Sequence, residues 1–265
     1  MKVKVEYAQL AASSDEDRIV VAGDAVVVLD GATAHDPEMP AAGRYVDLLA
    51  DKLRERMCGS PNLVEVLEDS ITDTARSLEI VQGVGPSTTV AAAQVNRDNL
   101  EVLVLGDSSV IVGFSDNSYV IHTDDRLSRL DLPESREYQY RLSAGKGYDD
   151  EHRSILRRLQ AAERSRRNQP DGYWIAEANP DAARHAITAE YPRDAVRWVI
   201  LASDGAFDLI PVVGVEWPAV AAMTEPELSD LLHRCYVWES QTDPTGRVLP
   251  RAKRHDDKTI ALVYV

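Results

Sequence analysis

The chain has 265 residues, 44% of them hydrophobic, with 29 Lys and Arg against 44 Asp and Glu and a formal net charge of −15 at pH 7. The apolar content is ample for a sizeable core. The acidity argues against a general nucleic-acid binder and against adhesion to anionic membranes, since both present basic faces.

The opening MKVKVEYAQL alternates, with Val3, Val5 and Tyr7 on one side, and predicts a strand. It lacks the apolar core of a signal peptide, and no apolar stretch approaches the ~20 residues of a membrane span. The location expected is cytoplasmic. After a polar turn at 12–18, the runs at 19–23 and 25–30 predict paired strands about Gly23-Asp24. Helical spacing over 40–57 (Val46, Leu49, Ala50, Leu53, Met57) predicts one helix, ended by Gly59, and a second opened by Pro61 with Val64, Leu67, Ile71, Ala75 and Leu78 on one stripe. Strands at 87–95, 100–106, 109–114 and 118–123 have short connectors and predict a meander of hairpins, with Asp107-Ser108 as one tight turn. Residues 124–190 are polar and broken by glycines and prolines, which predicts an irregular, partly helical and mobile insert. A strand at 195–201, a helix after Asp204, a helix over 225–238 and a last strand at 259–265 complete the chain. Cys58 and Cys235 have no Cys or His at ligand spacing, so neither a disulfide framework nor a zinc site is expected.

Strands joined by hairpins, with helices grouped between blocks of them, predict an α+β fold. Its two antiparallel sheets form a sandwich flanked by helices, in one domain over 1–265. Three apolar runs end on aspartate: VVVLD at 26–30, VLVLGD at 102–107 and VILASD at 199–204. Asp256-Asp257 stands just before the fourth. A carboxylate at the tip of a buried strand is costly to desolvate alone. Several converging tips point to a hard divalent cation. Gly31 and Gly205, each following an aspartate, are expected to let the backbone turn sharply toward such an ion. Asp257 is expected to flank the last strand.

These segments, in this order, resemble the type 2C class of metal-dependent serine/threonine protein phosphatases, in a bacterial-type form. The acidic pair Glu16-Asp17, LDGATA at 29–34, GPSTTVAAAQV with LEVLVLGDSSVIV, VILASDGAFDLI and HDDKTIALVYV carry the resemblance across most of the chain. It implies a centre of two Mg²⁺ or Mn²⁺ ions. Asp30 would bridge them, helped by the Gly31 carbonyl, while Asp204 and Asp256 would hold one ion and Asp17 the other. Asp107 with Asp204 would hold a third, looser ion. A water activated by the metals would hydrolyse phosphoserine and phosphothreonine esters. The partners implied are a phosphorylated protein and a cognate Ser/Thr kinase.

The sequence departs from the family pattern where substrate is handled. Ala12 sits near the position of the phosphate-clamping arginine, Ala32 replaces a histidine seen in many members, Thr33 and Ala34 replace two glycines, and Ser109 replaces an arginine. Arg18 and His35 are the nearby candidates for those lost roles. Loss of a general acid costs about 10²–10⁴ in rate, and alkyl phosphates suffer more than aryl ones. The competing readings are a weak or inert member that binds a kinase or signalling partner, and a small-molecule phosphoesterase.

Overall fold

Ten strands and eight α-helices follow one another in a computed structural model that describes residues 3–12, 14–32, 42–57 and 62–265. The first three strands are β1 (Lys4–Leu10), β2 (Arg18–Ala22) and β3 (Ala25–Gly31). Two residues join β2 to β3, and Gly23 supplies the positive φ of 62° that the first position of such a turn requires. The helices α1 (Gly43–Met57) and α2 (Leu63–Ser77) come next, as their apolar spacing predicts. The expected stops and starts at Gly59 and Pro61 lie outside the described residues. Asn62 caps α2, accepting from the Val64 and Glu65 amides at 3.0 and 3.3 Å.

The second block is β4 (Thr88–Val95), β5 (Asn99–Leu105), β6 (Ser109–Phe114) and β7 (Tyr119–Thr123). It differs from a simple meander. β4–β5 and β6–β7 are hairpins, but β5 and β6 belong to different sheets, so Asp107-Ser108 is a crossing and not a hairpin turn. Gly106, with φ of 82°, turns the chain there.

The segment after Thr123 is more ordered than its composition predicts. It holds α3 (Pro133–Ser143) and α4 (Asp150–Arg164), which pack on each other, and it ends in β8 (Ile187–Pro192), paired with β5. Ile187, Ala189 and Tyr191 face inward while Thr188, Glu190 and Pro192 are exposed. This is a period-2 pattern on an edge strand, where half the residues are polar and the signal is weak.

β9 (Val196–Ala202), the short helices α5 (Asp204–Phe207), α6 (Leu209–Val212) and α7 (Trp217–Val220), then α8 (Glu225–Val237) and β10 (Lys258–Tyr264) finish the fold. A π-helical turn at Trp238–Thr242 extends α8.

All strand pairs are antiparallel, in two five-stranded sheets ordered β1-β10-β9-β6-β7 and β2-β3-β4-β5-β8. Three apolar layers result. Val26, Val28, Ala91, Val104, Val112, Leu201 and Ala261 fill the space between the sheets. Val27, Leu29, Val90 and Leu103 face the other way, onto Tyr45, Leu49, Leu53, Leu67 and Ile71 of α1 and α2. Ile111, Ile200, Ile260 and Leu262 meet Leu228, Leu231, Leu232 and Cys235 of α8. Strands buried on both faces explain why these runs read as continuously apolar. No helix among the described residues is long and apolar enough to cross a membrane.

Candidate active site

The hydrogen-bond register of the β2-β3-β4-β5-β8 sheet sets two of the predicted carboxylates face to face. Arg18 pairs with Leu29 and Asp30 with Thr89, so one further step of the β2–β3 register places Asp17 across from Asp30. Ile19 and Val28 point between the sheets. With a side-chain period of two, Asp17 and Asp30 point the same way, at the end of that layer. The Thr88 hydroxyl donates to the Asp30 carbonyl at 2.8 Å, which ties β4 to this tip. Thr88 is therefore a strand residue in both position and bonding.

The opposite sheet supplies Asp204. The Ser203 amide donates to the Thr259 carbonyl at 3.0 Å and the Thr259 amide donates to Ser203 Oγ at 2.9 Å. This clasp holds the start of α5 against the segment that enters β10. Gly205 sits in the clasp, where a Cβ would lie 2.2 Å from the Asp257 carbonyl oxygen and 3.2 Å from Asp256 Cβ. Gly31 is crowded in the same manner, with a Cβ position 2.7 Å from Glu16 Cβ. Neither glycine has a positive φ. Close approach of a neighbouring acidic segment, not a sharp turn, requires glycine at both positions.

Asp257 is a scaffold residue. Its carboxylate accepts from the Ala12 amide at 2.6 Å and the Glu16 amide at 2.7 Å, and so fixes the loop that presents Asp17. Glu16 in turn accepts from the Ala42 amide at 3.0 Å, beside the N-terminus of α1. Arg18 is turned away from the acidic end. It donates to Asp47 at 2.6 Å and to the Asp15 and Asp17 carbonyls at 2.9 and 2.7 Å. His35 lies outside the described residues.

The carboxylates act strongly on one another. Burial pushes Asp30 well above the usual carboxylate range, and the charges of Asp17, Asp204 and Asp256 push it further, with Lys253 opposing. Burial likewise raises Asp17 to about 7; the hydroxyls of Thr259 and Ser203 oppose the shift and the charges of Asp257 and Asp256 reinforce it. Asp17 is 4% exposed, and neither of its carboxylate oxygens makes a hydrogen bond. The two hydroxyls lie near enough to favour its charge without an aligned bond, so the oxygens stay open to another partner.

A second acidic group adjoins the first. Asp107, at the sheet crossing, is raised to about 7 by burial and then by Asp204, with Asp208 and Glu163 adding to the shift. Asp208 is raised to about 6 by burial and Asp204, and Glu163 of α4 to about 7 by burial against the opposing Arg167. Asp208 follows Asp204 by four residues, one helical turn, a spacing visible in SDGAFDLI. Nothing in the sequence signals Glu163.

The other residue missed by sequence reasoning is Lys253. Its Nζ lies 2.6 Å from Asp256 Oδ1, which also accepts from the Asp257 amide at 2.9 Å. Burial works against the lysine's charge, but Asp256, Asp30 and Asp204 outweigh it and hold its pKa above the ordinary value. The flanking segment is held by charge. Buried Glu239 accepts from Lys258 at 2.8 Å and His255 at 3.1 Å, while Arg251 bonds Asp243 at 2.8 Å.

Hard oxygen donors, mutual repulsion and two open oxygens on buried Asp17 are the chemistry that suits a divalent cation. Asp256, in the same group, already has an ammonium partner. Among the described residues no three Asp, Glu, His or Cys side chains are grouped tightly enough to hold a metal ion as they stand.

The architecture is that of bacterial serine/threonine phosphatases. The chain superposes over its full length on Stp1 of Staphylococcus aureus, with a TM-score of 0.58 at 14% identity, covering 96% of that chain. PstP/Ppp of Mycobacterium tuberculosis gives 0.55 at 16% identity, with 100% of this chain and 99% of that one covered. The S. agalactiae serine/threonine phosphatase gives 0.57 at 16% identity, with 99% of each covered. Identities this low establish a shared fold. No protein-family profile and no curated protein sequence matches the chain.

Proposed function

We propose that this chain is a divalent-metal-dependent phosphoester hydrolase that acts on phosphoserine and phosphothreonine in proteins, opposing a Ser/Thr kinase. The observation that carries the reading is the buried Asp17 carboxylate, both oxygens without a hydrogen bond, across from Asp30 at the end of the inter-sheet layer. The fold shared with serine/threonine phosphatases supports it.

Asp17, Asp30 and Asp204 would hold the ion, with the Gly31 carbonyl beside them, and Asp107 with Asp204 would hold a further one. Bound there, Mg²⁺ or Mn²⁺ supplies the charge that draws in a phosphate and the acidity that activates a water for in-line attack. The chain's own part is to keep these carboxylates rigid and poor in competing hydrogen-bond donors. The β2–β3 register, the Ser203–Thr259 clasp and the Asp257 bonds to the Ala12 and Glu16 amides do this. Arg18 is engaged by Asp47, and position 109 is a serine buried in β6. With Ala32 where a general-acid histidine would stand, aryl phosphates, whose leaving group needs no proton, should be turned over faster than phosphopeptides.

The test is hydrolysis of para-nitrophenyl phosphate with millimolar Mn²⁺. EDTA should abolish turnover, and Asp30→Asn should lower it by at least ~10³. A wild-type rate no higher than that of Asp30→Asn would remove the enzymatic reading. The Lys253–Asp256 pair favours a second reading, a weak or inert phosphatase-like protein that binds a signalling partner. That reading takes over if the chain binds Mn²⁺ without turnover.

A further inference from the structure

Lys253 sits where a surface lysine has no reason to be. Its side chain is three-quarters buried and lies 2.6 Å from one aspartate of the acidic end. The backbone on both sides of it is tied down. The carbonyl of Ala252 accepts from His152 Nε2 of α4 at 2.8 Å, and the carbonyl of Arg254 accepts from Arg251 Nε at 3.1 Å. His255, two residues on, is held by Glu239 at 3.1 Å. Arg251 is itself anchored by both Asp243 and Glu239. A loop fixed at these four points delivers the ammonium to Asp256 by construction.

We propose that Lys253 is a built-in cation of the acidic end. It holds Asp256 in the resting protein and competes with divalent metal for that carboxylate. The chain then takes up one ion readily, at Asp17 and Asp30, and a second ion only by displacing the lysine. This inference rests on the metal-site reading above. The physical argument is one of charge and space. Asp256 Oδ1 already carries two donors, the Lys253 ammonium and the Asp257 amide. A divalent ion at that oxygen would have to expel a like charge from a site that is poorly hydrated.

Equilibrium dialysis of the full chain against Mn²⁺, with free Mn²⁺ followed by electron paramagnetic resonance, tests this without any assay of turnover. In the wild type one ion should bind at least ten-fold more tightly than the second. Two ions of equal affinity would overturn the proposal while leaving the metal site intact. Lys253→Met should tighten the second ion at least ten-fold, and Asp256→Asn added to Lys253→Met should remove that gain. Unchanged second-ion affinity in Lys253→Met would overturn the proposal alone. Absence of Mn²⁺ binding in both wild type and Lys253→Met would overturn it together with the metal-site reading. The wild-type measurement keeps the test decisive if Lys253→Met fails to fold.

Discussion

Asp30 lies at the end of β3 and Asp17 one residue before β2, beside strands packed in apolar layers, whereas Asp256 and Lys253 project from an irregular segment held by buried charges. On the strand side, position follows from register: Val26, Val28 and Leu29 are fully buried, and the backbone ladder fixes what comes next. On the loop side, residues 238–258 have little apolar filling of their own. Their order rests on Glu239 and Asp243, which gather three and four donors. A strand tip can present a carboxylate with nothing bonded to it, because the sheet bears the cost of holding it there. A charge-built loop brings its own counter-ions, and one of them, Lys253, reaches the acidic end. The same acidic end thus combines a carboxylate with no bonded partner and a carboxylate already compensated by an ammonium.

The largest effect is expected for Glu239→Ala, which leaves the 1%-exposed Lys258 ammonium without its carboxylate. Stability in urea should fall by about 3–5 kcal/mol, the usual cost of orphaning one partner of a buried pair. A loss under ~1 kcal/mol would show that the loop does not depend on its charges. Leu29→Ala probes the strand side. It deletes a fully buried side chain that packs between β3 and the α1–α2 layer, and should cost about 2–5 kcal/mol. Its loss should be insensitive to salt.

The pH response comes next. Asp17 and Asp107 are raised to about 7 and Asp208 to about 6. Raised carboxyls bind protons more tightly in the folded state than in the unfolded one. Their contribution to stability is full below about pH 4 and is lost as pH rises through about 7. The melting temperature of EDTA-treated protein should therefore fall across that window, and Mn²⁺ should restore it at the upper end. Asp17→Asn should flatten the slope; a slope unchanged in that variant would remove Asp17 as its source. Carboxyls held low, such as Asp149 and Asp243, act below pH 4 and leave this window clear. The smallest effect is expected for Arg184→Ala, an exposed partner of Glu68, whose loss should leave the urea unfolding midpoint essentially where it is in the wild type.

Much of the strand side was legible in the sequence, because buried strands announce themselves as apolar runs. VVVLD, VLVLG and VILAS all became core strands, and the apolar stripes of α1, α2 and α8 pack where their spacing points. The features that were not legible share a cause. β8 is an edge strand whose exposed half is polar, so Ile187, Ala189 and Tyr191 look like isolated residues. Asp107-Ser108 has the length of a hairpin turn, yet it carries the chain between sheets, and only the pairing partners decide between the two. Lys253, in the run RAKRHDD, has the composition of a solvated loop. Its significance comes from where Glu239, Asp243 and His152 pull the backbone, and those contacts span up to a hundred positions.

Gly31 and Gly205 are seams where two remote stretches of chain touch with no room for a methyl group. Both positions should be depleted of every replacement in a saturation screen scored by protein abundance, although neither contributes a side chain to chemistry. Mutational intolerance there would record tightness of assembly. A screen scored by turnover alone would mistake these two joints for reagents.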